Sequence, residues 1–250
     1  MVALKYIEGW EVLYIMVYIT GDTHSDFNRY ISFANKMNPI EKDVMIVLGD
    51  AGINYYKSKR DEKVKKFVND FPFTTFCIHG NHEIRPEDIP TYKTRKYRGG
   101  IVWYEEKYPK ILFAKDGEIY DFDGYSCLVI GGAYSVDKFY RLLNGWAWFF
   151  NEQPSDETKV YVENQLKKAG NKIDIILSHT CPKKYEPTEV FLKGLEQSLV
   201  DKSTEEWLDK IEQGTDYKKW YCGHFHTKKK IDRLQFMFED IDVLSTRTRL

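Results

Sequence analysis

The chain has 250 residues, 42% hydrophobic and 30% charged, with a formal net charge of −1. That balance suits a globular domain and argues against a disordered chain or a bilayer protein, and it offers no global attraction to nucleic acid or anionic lipid. The four cysteines are scattered and form no C-x-x-C pair, so buried free thiols and a reducing, cytoplasmic setting are expected. At the start, Lys5, Glu8 and Glu11 interrupt any apolar run long enough for a signal or membrane helix. Met16 opens the first clear strand, which marks 1–15 as an N-terminal extension of a single domain covering 1–250.

Apolar, β-branched runs at 17–20, 44–48 and 74–78 are each followed by a Gly-Asp or Gly-Asn and read as buried strands. Helical patterns at 27–37 and 59–71 separate them, the second carrying Val64, Phe67 and Val68 on one face. This β-α-β-α-β order predicts parallel strands with right-handed crossovers, whose C-terminal ends meet along one edge of a sheet. From 85 to 132, short Tyr, Ile, Val and Phe runs broken by Gly and Pro predict hairpins and a second sheet. Beyond them, 155–170 reads as a helix and 173–177 as a strand. A helix over 203–213, capped by Ser203 or Thr204, precedes a strand at 220–222 and a closing strand at 234–241.

Five fragments carry chemistry: Gly21-Asp22-Thr23-His24, Gly49-Asp50, Gly80-Asn81-His82-Glu83, Ser178-His179 and Gly223-His224-Phe225-His226. Five of the six histidines lie inside them. Any one fragment alone reads as an ordinary turn or a satisfied histidine. All five in order, each after a strand, point to a metal centre, because imidazole and carboxylate together suit first-row divalent ions and a carboxylate such as Asp50 can bridge two of them. Glycine beside these residues fits a sharp exit from a strand. A zinc protease pattern fails, since H-E-x-x-H beginning at His82 needs His where Pro86 stands.

The ordered set resembles the signature of calcineurin-like metallophosphoesterases over residues 21–226. The resemblance implies an α/β fold in four layers, a two-sheet β-sandwich flanked by helices. It further implies that Asp22, His24, Asp50 and His226 hold one metal while Asp50, Asn81, His179 and His224 hold the other. The two divalent ions are expected to be Mn, with Fe, Zn, Ni or Co also admitted. A metal-bridging hydroxide would then attack phosphorus, with His82 as catalytic residue at the leaving group. The second fragment departs from the protein Ser/Thr phosphatase branch, which keeps Gly-Asp-x-x-Asp-Arg where this chain has Ile53 and Asn54. Phosphomonoesterase, phosphodiesterase and, on the same fold, a catalytically silent binding protein all stay open.

Gly131-Gly132-Ala133-Tyr134-Ser135-Val136-Asp137-Lys138, with nearby Arg141, resembles a segment of a bacterial subgroup of these enzymes, as do the following Trp-rich stretch and Glu152-Gln153-Pro154-Ser155. Ser135, Asp137 and Arg141 are therefore candidates for contact with substrate phosphate. Trp146, Trp148, Phe149 and Phe150 are expected in the core, with a stacking wall as the alternative. Lys93, Arg95, Lys96 and Arg98 read as a solvated basic loop. The substrate expected is a phosphorylated small molecule, a nucleotide or a nucleic acid, with no membrane partner.

Overall fold

A computed structural model describes residues 15–245, with Tyr6–Ile7 and Trp10–Glu11 ahead of them. The expected extension, 1–15, lies outside the described residues apart from Ile15 and those four, which pair antiparallel as β1 (Tyr6–Ile7) and β2 (Trp10–Glu11). Then β3 (Val17–Thr20), α1 (Asn28–Met37), β4 (Val44–Val47), α2 (Lys59–Asn69) and β5 (Thr74–Cys77) follow the predicted alternation. β4 pairs in parallel with both β3 and β5, so three strand ends share one edge. Ser58 starts α2 by accepting a hydrogen bond from the Arg60 N–H, and Asp61 and Glu62 sit in the first turn, where the helix dipole favours negative charge.

The middle of the chain supplies β6 (Lys93–Tyr97), β7 (Gly100–Tyr104), β8 (Ile111–Ala114), β9 (Ile119–Phe122) and β10 (Tyr125–Ile130). The remainder is α3 (Lys138–Leu143), α4 (Asp156–Lys168), β11 (Lys172–Ser178), α5 (Ser203–Gly214), β12 (Asp216–Cys222), β13 (Lys229–Ile231), β14 (Leu234–Phe236) and β15 (Ile241–Val243). One sheet runs β15-β3-β4-β5-β8-β7-β6 and the other β13-β14-β12-β11-β10-β9. The hairpin-rich middle is thus divided, with three strands extending the first sheet and two opening the second.

Alternation along each strand sorts side chains into layers. Val17 and Ile19 of β3 and Val44 and Ile46 of β4 join the core between the sheets, together with Val129, Ile175 and Leu177 of the second sheet. Tyr18, Met45 and Val47 turn the other way and pack with Tyr30 and Phe33 of α1 and Val68 of α2. On the far face, Leu128, Ile176 and Trp220 meet Val162 and Leu166 of α4 and Trp207, Leu208 and Ile211 of α5. Each such aliphatic side chain contributes about 1.5–3 kcal/mol by leaving water. The layers are α/β/β/α. Cys77, Cys127, Cys181 and Cys222 are free and buried, and no helix among the described residues is long and apolar enough to cross a membrane.

Four expectations change. The run 234–241 is two strands, because the polar Glu239-Asp240 step lets the chain leave β14, parallel to β12, and cross to β15, antiparallel to β3. α5 is not capped by Ser203 or Thr204. Asp201 Oδ1 accepts from the Ser203 N–H at 2.9 Å, while the Thr204 hydroxyl is spent on Gln153. Lys93, Arg95 and Lys96 lie not in a loop but on the edge strand β6, exposed as edge strands require, while Arg98 follows, half-buried, in the turn to β7. Finally, Trp146 and Phe150 are 53% and 82% exposed, and none of the four aromatic residues at 146–150 belongs to a core cluster among the described residues.

Glu205, in the first turn of α5, ties that helix to the loop after β11, accepting from the Thr180 hydroxyl at 2.7 Å. Burial pushes its carboxyl up to about 7 against the donated bond. The folded chain therefore holds this proton more tightly than the unfolded chain does. The associated stability is full below about pH 4.5 and lost as pH rises toward 7, about 3 kcal/mol in all. Glu205→Gln keeps an acceptor without the charge. Its melting temperature relative to wild type should climb between pH 5 and pH 8, and a difference independent of pH would refute the assignment.

Candidate metal centre

Each fragment begins where a parallel strand ends: Asp22 and His24 after β3, Asp50 after β4, Asn81 and His82 after β5, His179 after β11, and His224 and His226 after β12. Parallel pairing in both sheets brings these ends to one edge of the sandwich. Backbone bonds then fasten fragment to fragment: the His24 N–H donates to Asp50 O at 2.8 Å, and the Gly223 N–H donates to His179 O at 2.9 Å.

The carboxylates are braced by backbone N–H groups of other fragments, Asp22 across the two sheets and Asp50 within the first. Asp22 Oδ1 accepts from the His224 N–H at 2.9 Å, and Asp50 Oδ1 from the His82 N–H at 2.7 Å. Each keeps its other oxygen for the centre. Asp22 Oδ2 is buried without a hydrogen-bond partner, 3.2 Å from His226 Nε2 and 3.8 Å from His24 Nε2. Asp50 Oδ2 lies 3.7 Å from His179 Nε2. Candidate ligand atoms of Asp22, His24 and His226 lie within 4.8 Å of one another, and so do those of Asp22, Asp50 and His179.

His179 and Asn81 are held more rigidly still. His179 Nδ1 donates to Leu48 O at 2.8 Å, which leaves a lone pair on Nε2. Asn81 Nδ2 donates to Ser135 Oγ, so Oδ1 faces that Nε2 at 2.7 Å. Two acceptors pressed together in a buried site fit a cation between their lone pairs and repel one another otherwise. With the orphaned Asp22 oxygen, this shows that the donor set fits a metal. His224 packs edge-on against His179 with ring centroids 5.0 Å apart, and burial drives its imidazole down to about 3, so it is a neutral donor. Burial alone would raise Asp22 and Asp50, yet His226 at 3.2 Å and the surrounding imidazoles hold Asp22 far below the carboxylate range, and His179 and His82 hold Asp50 low.

Backbone strain marks the same residues. His24, Asp50, His224 and His226 have φ of 45°, 45°, 65° and 48°, a left-handed region that side-chain-bearing residues seldom occupy. The neighbouring glycines serve mainly close approach rather than the expected strand exit. A Cβ on Gly49 would lie 2.0 Å from His179 Nδ1, one on Gly80 2.0 Å from Asp50 Oδ1, and one on Gly223 2.3 Å from Asp22 Oδ1. Only Gly49 of these three also has a positive φ, 94°.

The remaining candidates divide. Ser135 is 1% exposed, and its hydroxyl donates to Glu152 Oε2 at 2.5 Å while accepting from Asn81. It stands behind the candidate ligand Asn81 rather than facing the cleft, contrary to its expected place at substrate phosphate. Arg141 does face the site, with Nη2 3.3 Å from His82 Nε2, its Nε on Asp137 Oδ2 at 2.7 Å and Nη1 on the Tyr55 hydroxyl at 3.2 Å. An Asp–Arg pair therefore stands beside His82 although the second fragment lacks one. Asn54 bonds Tyr92 instead. Sequence reasoning missed Glu152 as the anchor of Asn81, although it lies inside the quoted segment, and Glu83, whose Oε1 accepts from the Gly80 N–H at 2.9 Å.

The family model described as calcineurin-like phosphoesterase matches residues 15–228. The chain belongs to that family. Calcineurin-like phosphoesterases are metal-dependent hydrolases, in keeping with the Asp and His groups gathered here. The chain is similar to the TT1561 protein of Thermus thermophilus at 12% identity and a TM-score of 0.48, over 94% of this chain and 100% of that one. It is also similar to the phosphopantetheinyl hydrolase of Mycobacterium tuberculosis at 12% identity and a TM-score of 0.42, over 89% and 88%. No curated protein matches it.

Because the Gly80 position is closed by Asp50, Gly80→Ala should displace that carboxylate and weaken Mn²⁺ binding about tenfold or more by titration calorimetry. Unchanged affinity would show that Asp50 does not hold metal.

Proposed function

We propose that the chain hydrolyses phosphate esters at two divalent metal ions. What carries this reading is the convergence of seven donor residues from five strand ends on one cluster with Asp22 Oδ2 left unpartnered. Asp22, His24, Asp50 and His226 would hold one ion, and Asp50, Asn81, His179 and His224 the other. Mixed nitrogen and oxygen donors suit Mn²⁺ and also admit Fe, Zn, Ni or Co. Such ions supply polarised phosphoryl oxygens and a water of lowered pKa.

The chain's own residues do the rest. Arg141 is held by Asp137 and Tyr55 with Nη2 aimed at His82, so it reaches the site already oriented. An ester oxygen seated beside Arg141 Nη2 accepts from it in place of His82 Nε2, which frees that nitrogen to carry a proton toward the leaving side and stabilises charge on the phosphoryl group. As water adds to phosphorus and the P–O bond to the alcohol breaks, that alcohol oxygen takes a proton from His82, and the proton that the attacking water gives up restores His82. The Glu152–Ser135–Asn81 chain keeps a ligand amide from rotating while this happens.

With Mn²⁺-loaded protein, p-nitrophenyl phosphate and its bis-ester report turnover directly. Asp50→Asn should lose activity together with bound metal, whereas His82→Ala should keep the metal and lose roughly 10²–10⁴-fold in kcat. Full turnover by Asp50→Asn would place the activity elsewhere, and full turnover by His82→Ala would remove His82 from the reaction.

A further inference from the structure

Two clefts run out from the cluster, and their chemistry differs. The first, of about 490 Å³, has Asp50, Asn81, His82 and His224 at its inner end and Phe191, Leu192, Leu195 and Phe225 along its wall. Phe225 sits between ligands His224 and His226, with Phe191 stacked on it at 6.1 Å and 17°, so the apolar wall starts at the metal ligands themselves. The carboxyl groups on its lining are engaged: Asp137 with Arg141, Glu186 with Lys202, Glu205 with the Thr180 hydroxyl and Asp201 with the Ser203 N–H. The lysine among its described lining residues, Lys202, is paired with Glu186 at 2.7 Å in a largely buried contact. Among the described residues, no spare lysine or arginine lines this cleft for a second phosphate.

The second cleft, of about 640 Å³, is lined by His24, Tyr55, Tyr56, His82, Arg141 and Trp146. Trp146 is 53% exposed, with Tyr140 edge-on to it, and Tyr56 is 40% exposed, with the Arg60 guanidinium over one face at 4.0 Å, so the aromatic surface offered to a ligand is chiefly that of Trp146. Arg141 is the cation of this cleft, and its Nε and Nη1 are already engaged. His82 lines both clefts, so they join beside the cluster.

A phosphate monoester carries one organic group and would leave one cleft to solvent. We infer that the substrate is an unsymmetrical phosphodiester, with its phosphoryl group at the junction, an aromatic or heterocyclic group against Tyr55, Tyr56 and Trp146, and an uncharged apolar group against Phe191, Leu192 and Phe225. This rests on the function proposed above and names its substrate class. Stacking on the exposed aromatic surface and burial of apolar surface hold the two arms, and the first cleft, with Lys202 already paired, offers polyphosphates and nucleic-acid strands no second anchor.

Binding tests the inference separately from turnover. Dibenzylphosphinate has two arms, one charge and no ester bond, whereas benzylphosphonate has one arm and up to two charges. By calorimetry on Mn²⁺-loaded protein, the phosphinate should bind at least about tenfold tighter, although charge alone favours the phosphonate. Trp146→Ala and Leu192→Glu, both at exposed positions, should each shrink that ratio about fivefold. Equal or reversed affinities, or a ratio surviving both substitutions, would overturn the two-armed substrate. If the ratio behaves as expected but neither p-nitrophenyl phosphate nor its bis-ester is cleaved, two-armed recognition stands and the hydrolytic reading falls.

Discussion

The site depends on two carboxylates that are each held at one oxygen by a backbone N–H from another fragment. Asp22 is fixed by His224 and Asp50 by His82. A charged acceptor bonded to a buried N–H is strong and directional, and its loss leaves both groups unsatisfied. The Asp22 bond sets how near the strand ends of the two sheets must come, and the Asp50 bond ties the ends of neighbouring β4 and β5. The free oxygens then point the same way, into a space already surrounded by imidazoles.

That closeness explains the strain around the centre. Ordinary turns would not bring Asp50 within hydrogen-bond reach of the His82 N–H while Gly80 passes against its side chain. The left-handed backbone at His24, Asp50, His224 and His226 is the cost of aiming those side chains inward, of order 1–3 kcal/mol each. The sandwich beneath can sustain it, because the core between the sheets is continuous from Val17 to Tyr221 across both. Buried polar chains add rigidity: Glu152, Ser135, Asn81 and His179 form one line ending at the Leu48 carbonyl.

Much of this was legible in the sequence, for identifiable reasons. Strands buried on both faces give unbroken apolar runs, so β3, β4 and β5 were marked within a residue, and the parallel order followed from the helices between them. The fragments were legible because ligands cluster at strand ends. Legibility failed where tertiary context decides. Nothing local says that 234–241 changes sheets or that Asp201 rather than Ser203 receives the first N–H of α5. Trp146 and its neighbours looked like core residues because aromatic composition cannot tell a packed face from an open cleft. Ser135 and Glu152 were noticed, but their direction, toward Asn81 and away from the cleft, is a property of the folded loop.

The crossing from β14 to β15 also sets a timetable. β15 flanks β3, the first strand to bear a ligand, and the His224 N–H that braces Asp22 is 202 residues away from it along the chain. A ribosome that has made only the first half has released Asp22, Asp50 and Asn81 without the groups that orient Asp22 and complete the cluster. The nascent chain thus carries carboxylates that cannot yet close on a cation. Long-range pairings of this kind add their loop entropy before they return any contact. Assembly of the centre is therefore tied to the end of synthesis, and a chain truncated before β12 is not a weaker version of the site but an uncommitted one.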